Sequence, residues 1–196
     1  MCSWCWGFVP VLNDFIEKLP EGILVQRLLG GLAPDSDVPM PAEMRQTIEA
    51  TWRHIQATIP GTIFNYDFWT QCAPRRSTWP ACRAVIAARM QSDAFDKRMT
   101  RAIQLVYYTQ ARNPSDDATL VELAGELGLD TSAFATALRS EPVQQQLLTE
   151  IELSRQLHAT SFPSLVLKTS STEWRIPVDY NDSTPMLEMV AELTVA

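Results

Sequence analysis

The sequence predicts an α/β fold in which a small sheet and its helices are interrupted by a long helical block. Residues 22–32 are an apolar run that favours a buried strand, and residues 164–168 and 174–178 predict a hairpin. Between these segments, residues 80–157 show helical periodicity almost without interruption. Strand-forming segments on either side of a helical stretch of about 80 residues indicate an α/β core with a helical insertion.

The remaining elements follow from the spacing of apolar residues and from helix caps. Apolar residues at helical spacing predict helices over residues 44–59 and 186–193. Asp130 and Ser140 are suited to be the N-caps of two helices in the long block. The aromatic residues of segment 64–69 favour a strand or another extended conformation.

Length and charge limit the classes of function. The chain has 196 residues and a net charge of −7, which predicts one domain, or one domain with a sizeable insertion. The acidic balance argues against a nucleic-acid partner, whose phosphates would be neutralised by Lys and Arg. No apolar run reaches the ~18 residues of a membrane span, and the N-terminus lacks the basic and apolar regions of a secretory signal. We therefore expect a cytoplasmic protein with no membrane partner.

The four cysteines form two unlike pairs. Cys2 and Cys5 form a C-x-x-C motif at the start of a predicted helix, whereas Cys72 and Cys82 are ten positions apart. Unpaired N–H groups and the dipole at a helix N-terminus favour an anion, and they lower a cysteine pKa from ~8.5 to ~3.5–7.5. Because the thiolate is the nucleophile, the motif predicts that Cys2 attacks disulfides and that Cys5 resolves the mixed disulfide.

Two other interpretations of the motif remain open, a structural disulfide and half of a zinc site. A zinc site needs a second close pair of Cys or His ligands. Cys72 and Cys82 are too far apart to form such a pair neatly, and neither His54 nor His158 has a near neighbour of ligand type. We therefore predict redox chemistry with no metal and no bound cofactor.

Other residues near these motifs have two interpretations each. Trp4, inside the C-x-x-C motif, indicates an apolar docking rim for substrate, although a ring at a helix N-terminus also packs inward in many proteins. A local basic patch either steers an anionic thiol such as glutathione or is a solvated face; it comprises Arg75, Arg76, Arg83 and Arg89.

Three segments resemble one protein family. The opening Cys-Ser-Trp-Cys-Trp-Gly-Phe is similar to the active-site opening of DsbA-like thioredoxin-fold proteins, especially the bacterial group of predicted protein-disulfide isomerases. Residues 76–84, Arg-Ser-Thr-Trp-Pro-Ala-Cys-Arg-Ala, resemble the beginning of that group's helical insertion. Residues 160–167, Thr-Ser-Phe-Pro-Ser-Leu-Val-Leu, resemble the loop and strand that carry its cis-proline. The resemblance covers essentially the whole chain.

The resemblance implies a thioredoxin-like core made of residues 1–78 and 158–196, with residues 79–157 as the helical insertion. It implies that Cys2 is the nucleophile, Cys5 the resolving cysteine and Pro163 the cis-proline that faces them. Phe162 and Pro163, together with Trp4, are then the substrate-binding residues.

The implied function is a thiol–disulfide oxidoreductase or isomerase that acts on thiol or disulfide substrates, either protein or glutathione. An alternative on the same fold is a glutathione-dependent isomerase or transferase, like the chromene-carboxylate isomerase and kappa-class relatives. These commonly lack the second cysteine, so Cys5 weighs against that alternative. A third hypothesis is a non-enzymatic binding module with vestigial thiols.

Two departures from the family pattern lead to further expectations. Ser3 and Trp4 supply no histidine to stabilise the thiolate, so a reducing or isomerising role is as consistent with the motif as an oxidising one. Only Met1 precedes the motif, where the family has a central strand. We therefore expect that this strand is missing from the chain as given and that a β-rich segment is encoded upstream, rather than that a second chain supplies it.

Overall fold

The computed structural model describes residues 1–170 and 172–195, which are mostly helical with a small antiparallel sheet. The elements in chain order are α1 (Ser3–Glu17), α2 (Ala42–Thr58), α3 (Phe68–Gln71), α4 (Trp79–Gln91), α5 (Phe95–Thr109), α6 (Asp117–Glu126), α7 (Thr131–Leu138), α8 (Glu141–Gln156), β1 (Leu165–Lys168), β2 (Glu173–Ile176) and α9 (Thr184–Val195).

Helices α4 to α8 form the long helical block that the sequence predicts. Asp130 and Ser140 are the N-caps of α7 and α8, and their side chains accept hydrogen bonds from Ala133 N and Val143 N at 2.9 and 3.4 Å. A cap of this kind satisfies a backbone N–H that has no partner within the helix. Apolar side chains from all five helices form one buried cluster. The division between residues 79–157 and the rest of the chain stays a prediction.

The two strands form the predicted hairpin beside the first and last helices. Leu165 lies opposite Ile176 in the antiparallel register. Ile176 packs in one buried cluster with Phe8 and Phe15 of α1 and with Met186 of α9. The helix predicted over residues 186–193 is therefore present and covers the same core as α1.

The prediction of a strand over residues 22–32 is wrong within the part of the chain that the structure describes. This segment contains no helix or strand, and β1 pairs with β2 and not with it. Leu24 is 95% exposed. Side chains of the helical block hold the segment instead, because Leu29 N donates to Glu150 Oε2 at 2.9 Å and Trp79 Nε1 donates to the Gly31 carbonyl at 3.1 Å.

Residues 64–69 also differ from their predicted strand-like conformation, because the short helix α3 begins at Phe68. Their aromatic side chains pack around Trp52 of α2, which is fully buried. Its ring stacks on Phe64 at 4.8 Å between centroids and lies 5.6 Å from Tyr108 of α5. Aromatic packing, rather than strand pairing, therefore determines the conformation of this segment.

In the described part of the chain, no helix is both long enough and apolar enough to cross a membrane.

Candidate dithiol site

The C-x-x-C motif lies at the N-terminus of α1, as its spacing predicts. Cys2 is the N-cap, with extended backbone angles of φ −88° and ψ 110°. Its sulfur accepts a hydrogen bond from the Cys5 backbone N–H at 3.2 Å. One unpaired N–H of the first helical turn is thereby directed at the Cys2 sulfur, where it stabilises negative charge.

Ser3 anchors this turn to the aromatic cluster around Trp52. The Ser3 hydroxyl is buried and accepts a hydrogen bond from Trp52 Nε1 at 2.9 Å. Further along α1, Gly7 packs so closely on Ile59 that a Cβ at this position would lie 2.7 Å from Ile59 Cδ1. These two contacts, with Trp52 and with Ile59, hold the first turns of α1, and the dithiol with them, in a defined position.

The loop that precedes β1, in the C-terminal part of the chain, lies next to Cys2. The Phe162–Pro163 peptide bond is cis, as the family resemblance implies. In its thiol form, Cys2 donates a hydrogen bond from Sγ to the Phe162 carbonyl oxygen at 3.3 Å. The structure therefore brings together Cys2, Cys5 and the Phe162–Pro163 loop.

The two sulfurs differ in acidity. The hydrogen bond from the Cys5 thiol lowers the pKa of Cys2, against an opposing effect of burial, and the Cys5 backbone N–H adds to the lowering. The same side-chain hydrogen bond raises the pKa of Cys5 well above its usual range, and burial raises it further. Cys2 is therefore the more acidic thiol of the pair, and a thiolate forms at Cys2 before it forms at Cys5 as the pH rises.

The other two cysteines lie in different surroundings. Burial raises the pKa of Cys82 to about 11, and its side chain packs against the core of the helical block. Burial also raises the pKa of Cys72, whose thiol donates to the Ala111 carbonyl at 3.0 Å. All four cysteines are free thiols. Over the described residues, no group of three or more His, Cys, Asp or Glu could hold a metal ion.

Trp4 and Trp6 have opposite orientations. Trp6 is buried and donates from Nε1 to the Ile63 carbonyl at 3.0 Å, so it packs inward. Trp4 is half-buried, and its ring lies 4.9 Å from the ring of Tyr180 and 5.6 Å from that of His54. Spacing in the sequence did not indicate Tyr180 or His54, because the loop before α9 and helix α2 meet at Trp4 only in the folded chain.

A cavity of about 280 Å³ opens beside Cys2. Trp4 and Phe162 both line it, together with apolar residues that include Met40, Phe68 and Tyr107. This cavity provides space next to Cys2 for a substrate of small or extended shape.

A dithiol at a helix N-terminus that faces a cis-proline loop is the arrangement found in thioredoxin-like proteins. A family model described as thioredoxin matches residues 1–188. The chain therefore belongs to this DsbA-like thioredoxin family.

Solved structures share the fold over the whole chain. A candidate protein disulfide isomerase from Nitrosomonas europaea superposes with a TM-score of 0.81 at 24% identity, covering 100% of this chain and 93% of that one. The cytosolic disulfide reductase DsbM from Pseudomonas aeruginosa gives a TM-score of 0.77 at 22% identity, covering 100% and 96%. DsbM with GSH gives a TM-score of 0.74 at the same identity and coverage.

The curated relatives are named as adapter proteins, not as disulfide isomerases or reductases. The ClpXP adapter protein SpxH of Shouchella clausii is 21% identical over 177 residues, which are 88% of this chain and 56% of the relative. SpxH of Bacillus subtilis is 22% identical over 185 residues, 92% of this chain and 60% of the relative. The chain thus spans little more than half the length of these relatives.

Proposed function

We propose that this protein is a cytoplasmic thiol–disulfide oxidoreductase or isomerase that exchanges disulfides through Cys2 and Cys5. The observation that carries the proposal is the position of Cys2 as the N-cap of α1, where its sulfur accepts the Cys5 N–H. The lowered pKa of Cys2, caused first by the Cys5 thiol, and the raised pKa of Cys5 give the pair the division of roles that exchange needs.

The reaction has two displacement steps. The Cys2 thiolate attacks one sulfur of a substrate disulfide; the substrate S–S bond breaks, and the leaving thiolate takes a proton from solvent. Once Cys2 is in the mixed disulfide, its negative charge is gone and Cys5 deprotonates more readily. Cys5 then attacks Cys2 Sγ, a Cys2–Cys5 disulfide forms, and the second substrate thiol leaves. Two thiol equivalents return the pair to its reduced state.

Trp4, Phe162 and Pro163 are proposed to bind the substrate. All three are half-buried, and Trp4 and Phe162 line the cavity beside Cys2. The neighbour DsbM has a structure with GSH and is named a cytosolic disulfide reductase, which supports glutathione as a thiol partner and a cytoplasmic location. In this proposal the two cysteines carry out disulfide exchange without a bound cofactor.

A second candidate function is a non-enzymatic adapter. The names of the curated relatives, both ClpXP adapter proteins, favour it. The presence of Cys5 weighs against a glutathione-dependent isomerase or transferase, because such relatives commonly lack the second cysteine.

Disulfide exchange by cysteine variants separates these functions. We expect the reduced protein to convert 2-hydroxyethyl disulfide, Cys2→Ser to lose this activity, and Cys5→Ser to accumulate a mixed disulfide at Cys2. Cys72→Ser is the control and keeps full activity. A wild-type protein without exchange activity would favour the adapter, and an active Cys5→Ser that turns over with glutathione would favour the transferase.

A further inference from the structure

The cavity beside Cys2 is lined by basic side chains, whereas the chain as a whole is acidic. Among the described residues, the charged side chains that line it are Arg75 and Arg76, and none is Asp or Glu, although the whole chain has a net charge of −7. Arg75 is neutralised by Asp116 at 2.7 Å. Arg76 is exposed and forms no ion pair within the described residues; its hydrogen-bonding contact is Met44 Sδ at 4.0 Å.

The four arginines of the basic patch predicted from the sequence differ in whether they form ion pairs. Arg83 pairs with Asp35 at 2.7 Å, and Arg89 pairs with the buried Glu150. With Arg75 also paired, Arg76 is left as the cation of this patch that is available to a ligand in the described part of the structure.

Asn113 supplies an independent observation at the same cavity. It is only 6% exposed and it lines the cavity. Its Oδ1 accepts a hydrogen bond from Ser115 N at 3.1 Å, which fixes the orientation of the amide. Its Nδ2 is buried and has no hydrogen-bond partner among the described residues. Because a buried donor without a partner costs free energy, this N–H group is suited to an acceptor that enters the cavity.

We propose that this cavity is a carboxylate subsite, in which Arg76 and the Asn113 amide hold the carboxylate of a low-molecular-weight thiol while its sulfur is joined to Cys2. The proposal rests on the proposed function and names the substrate class. A cavity of about 280 Å³ that is lined by Cys2 suits a small thiol whose anionic group lies a few bonds from its sulfur. The carboxylate takes no part in the sulfur displacement, so its binding positions the reacting disulfide.

The test compares two small disulfides that differ in charge. The second-order rate constant for oxidation of the reduced protein is measured with oxidised glutathione, which carries carboxylates, and with 2-hydroxyethyl disulfide, which carries none. We expect Arg76→Gln and Asn113→Ala each to lower the rate constant for oxidised glutathione about tenfold, since a hydrogen bond to a charged group is worth that factor or more. We expect the rate constant for 2-hydroxyethyl disulfide to be unchanged.

Arg98→Gln is the matched control, because Arg98 is an exposed arginine on α5 that does not line the cavity. An equal loss with both small disulfides, or no loss in Arg76→Gln with oxidised glutathione, would overturn the proposal. Insulin is a third substrate, and an equally large loss with insulin would assign the subsite to polypeptides and overturn it too. If the wild-type protein reacts with none of these disulfides, the proposed function itself fails.

Discussion

The Phe162 carbonyl oxygen lies 3.3 Å from Cys2 Sγ, although the two residues are 160 positions apart in the chain. This contact joins the N-terminus of α1 to the loop that leads into β1. The ring of Phe162 in turn packs over Gly30 of segment 22–32. Three distant parts of the sequence therefore determine the surroundings of one sulfur.

The first prediction concerns the acidity of the thiols. In the reduced protein at pH ~6, we expect an alkylating reagent to modify Cys2 much faster than Cys5, Cys72 or Cys82, because a thiolate fraction at this pH requires a lowered pKa. The pKa of Cys2 is lowered, first by the Cys5 thiol, whereas burial raises the pKa of Cys82 to about 11. Peptide mapping by mass spectrometry after short labelling times measures the order.

The direction in which the alkylation rate of Cys2 changes with pH follows from the same pKa shifts. The alkylation rate of Cys2 should rise with pH and reach half its maximum below the ordinary cysteine pKa of ~8.5. Cys5→Ala should move this midpoint upward, since the variant has no side-chain donor and loses the hydrogen bond that contributes most to the lowering. A midpoint at or above the ordinary value in the wild-type protein would show that the turn does not stabilise a thiolate.

The second prediction concerns Gly30. A Cβ at this position would lie 1.9 Å from Phe162 Cζ, so Gly30→Ala has to displace the ring. We expect the displacement to change the position of the Phe162 carbonyl and to lower the rate constant for disulfide exchange at Cys2. Gly125→Ala is the control, because its nearest contact is Thr131 Cγ2 at 3.4 Å. Equal exchange rates in the two variants would argue against a role for this loop.

The third prediction concerns Glu150, which joins segment 22–32 to the helical block. Glu150 is 4% exposed, pairs with Arg89 and accepts the Leu29 N–H at 2.9 Å. Glu150→Ala removes the buried carboxylate that pairs with Arg89 and leaves the Leu29 N–H without its acceptor. Because Arg89 keeps its contact with Asp96 at 3.6 Å, we expect a loss of about 1–3 kcal/mol in the free energy of unfolding. Urea unfolding measures the loss, and the exposed Glu152→Ala on the same helix should stay within about 0.5 kcal/mol of the wild type.

The fourth prediction concerns the anchor of the dithiol turn. Ser3→Ala leaves Trp52 Nε1 buried without an acceptor, because the Ser3 hydroxyl accepts it at 2.9 Å. We expect a loss of about 1–3 kcal/mol in the free energy of unfolding. Ser132→Ala is the comparison, since Ser132 is exposed in the first turn of α7 and its loss should change stability by no more than about 0.5 kcal/mol. Equal stability of the two variants would contradict the anchoring role.

Local signals in the sequence were sufficient for most helices and for the dithiol. Periodicity and caps predicted the helical block, and the position of Cys2 at a helix start predicted its role as the group that receives the first-turn N–H. These features depend on residues three or four positions apart. The cis bond before Pro163 was different, because it came from the family resemblance and not from the residues themselves.

Features that depend on distant contacts were missed. Residues 22–32 are apolar enough for a strand, but a strand needs a neighbour, and side chains such as Glu150 take up backbone groups of this segment instead. Asn113 lies in a loop between α5 and α6, and nothing in the loop sequence indicates that its amide reaches the cavity beside Cys2. Tyr180 likewise meets Trp4 only after the chain has folded.

The most direct test of the account is the reduction potential of the Cys2–Cys5 pair in glutathione buffers, with acid quenching and peptide mapping of the disulfide. We predict a reversible two-electron couple between about −270 and −120 mV, the range of thioredoxin-fold proteins that exchange disulfides. The Cys72 and Cys82 thiols should stay reduced throughout. A potential below about −300 mV, typical of a structural disulfide, or the absence of a Cys2–Cys5 disulfide at every glutathione ratio, would contradict the account.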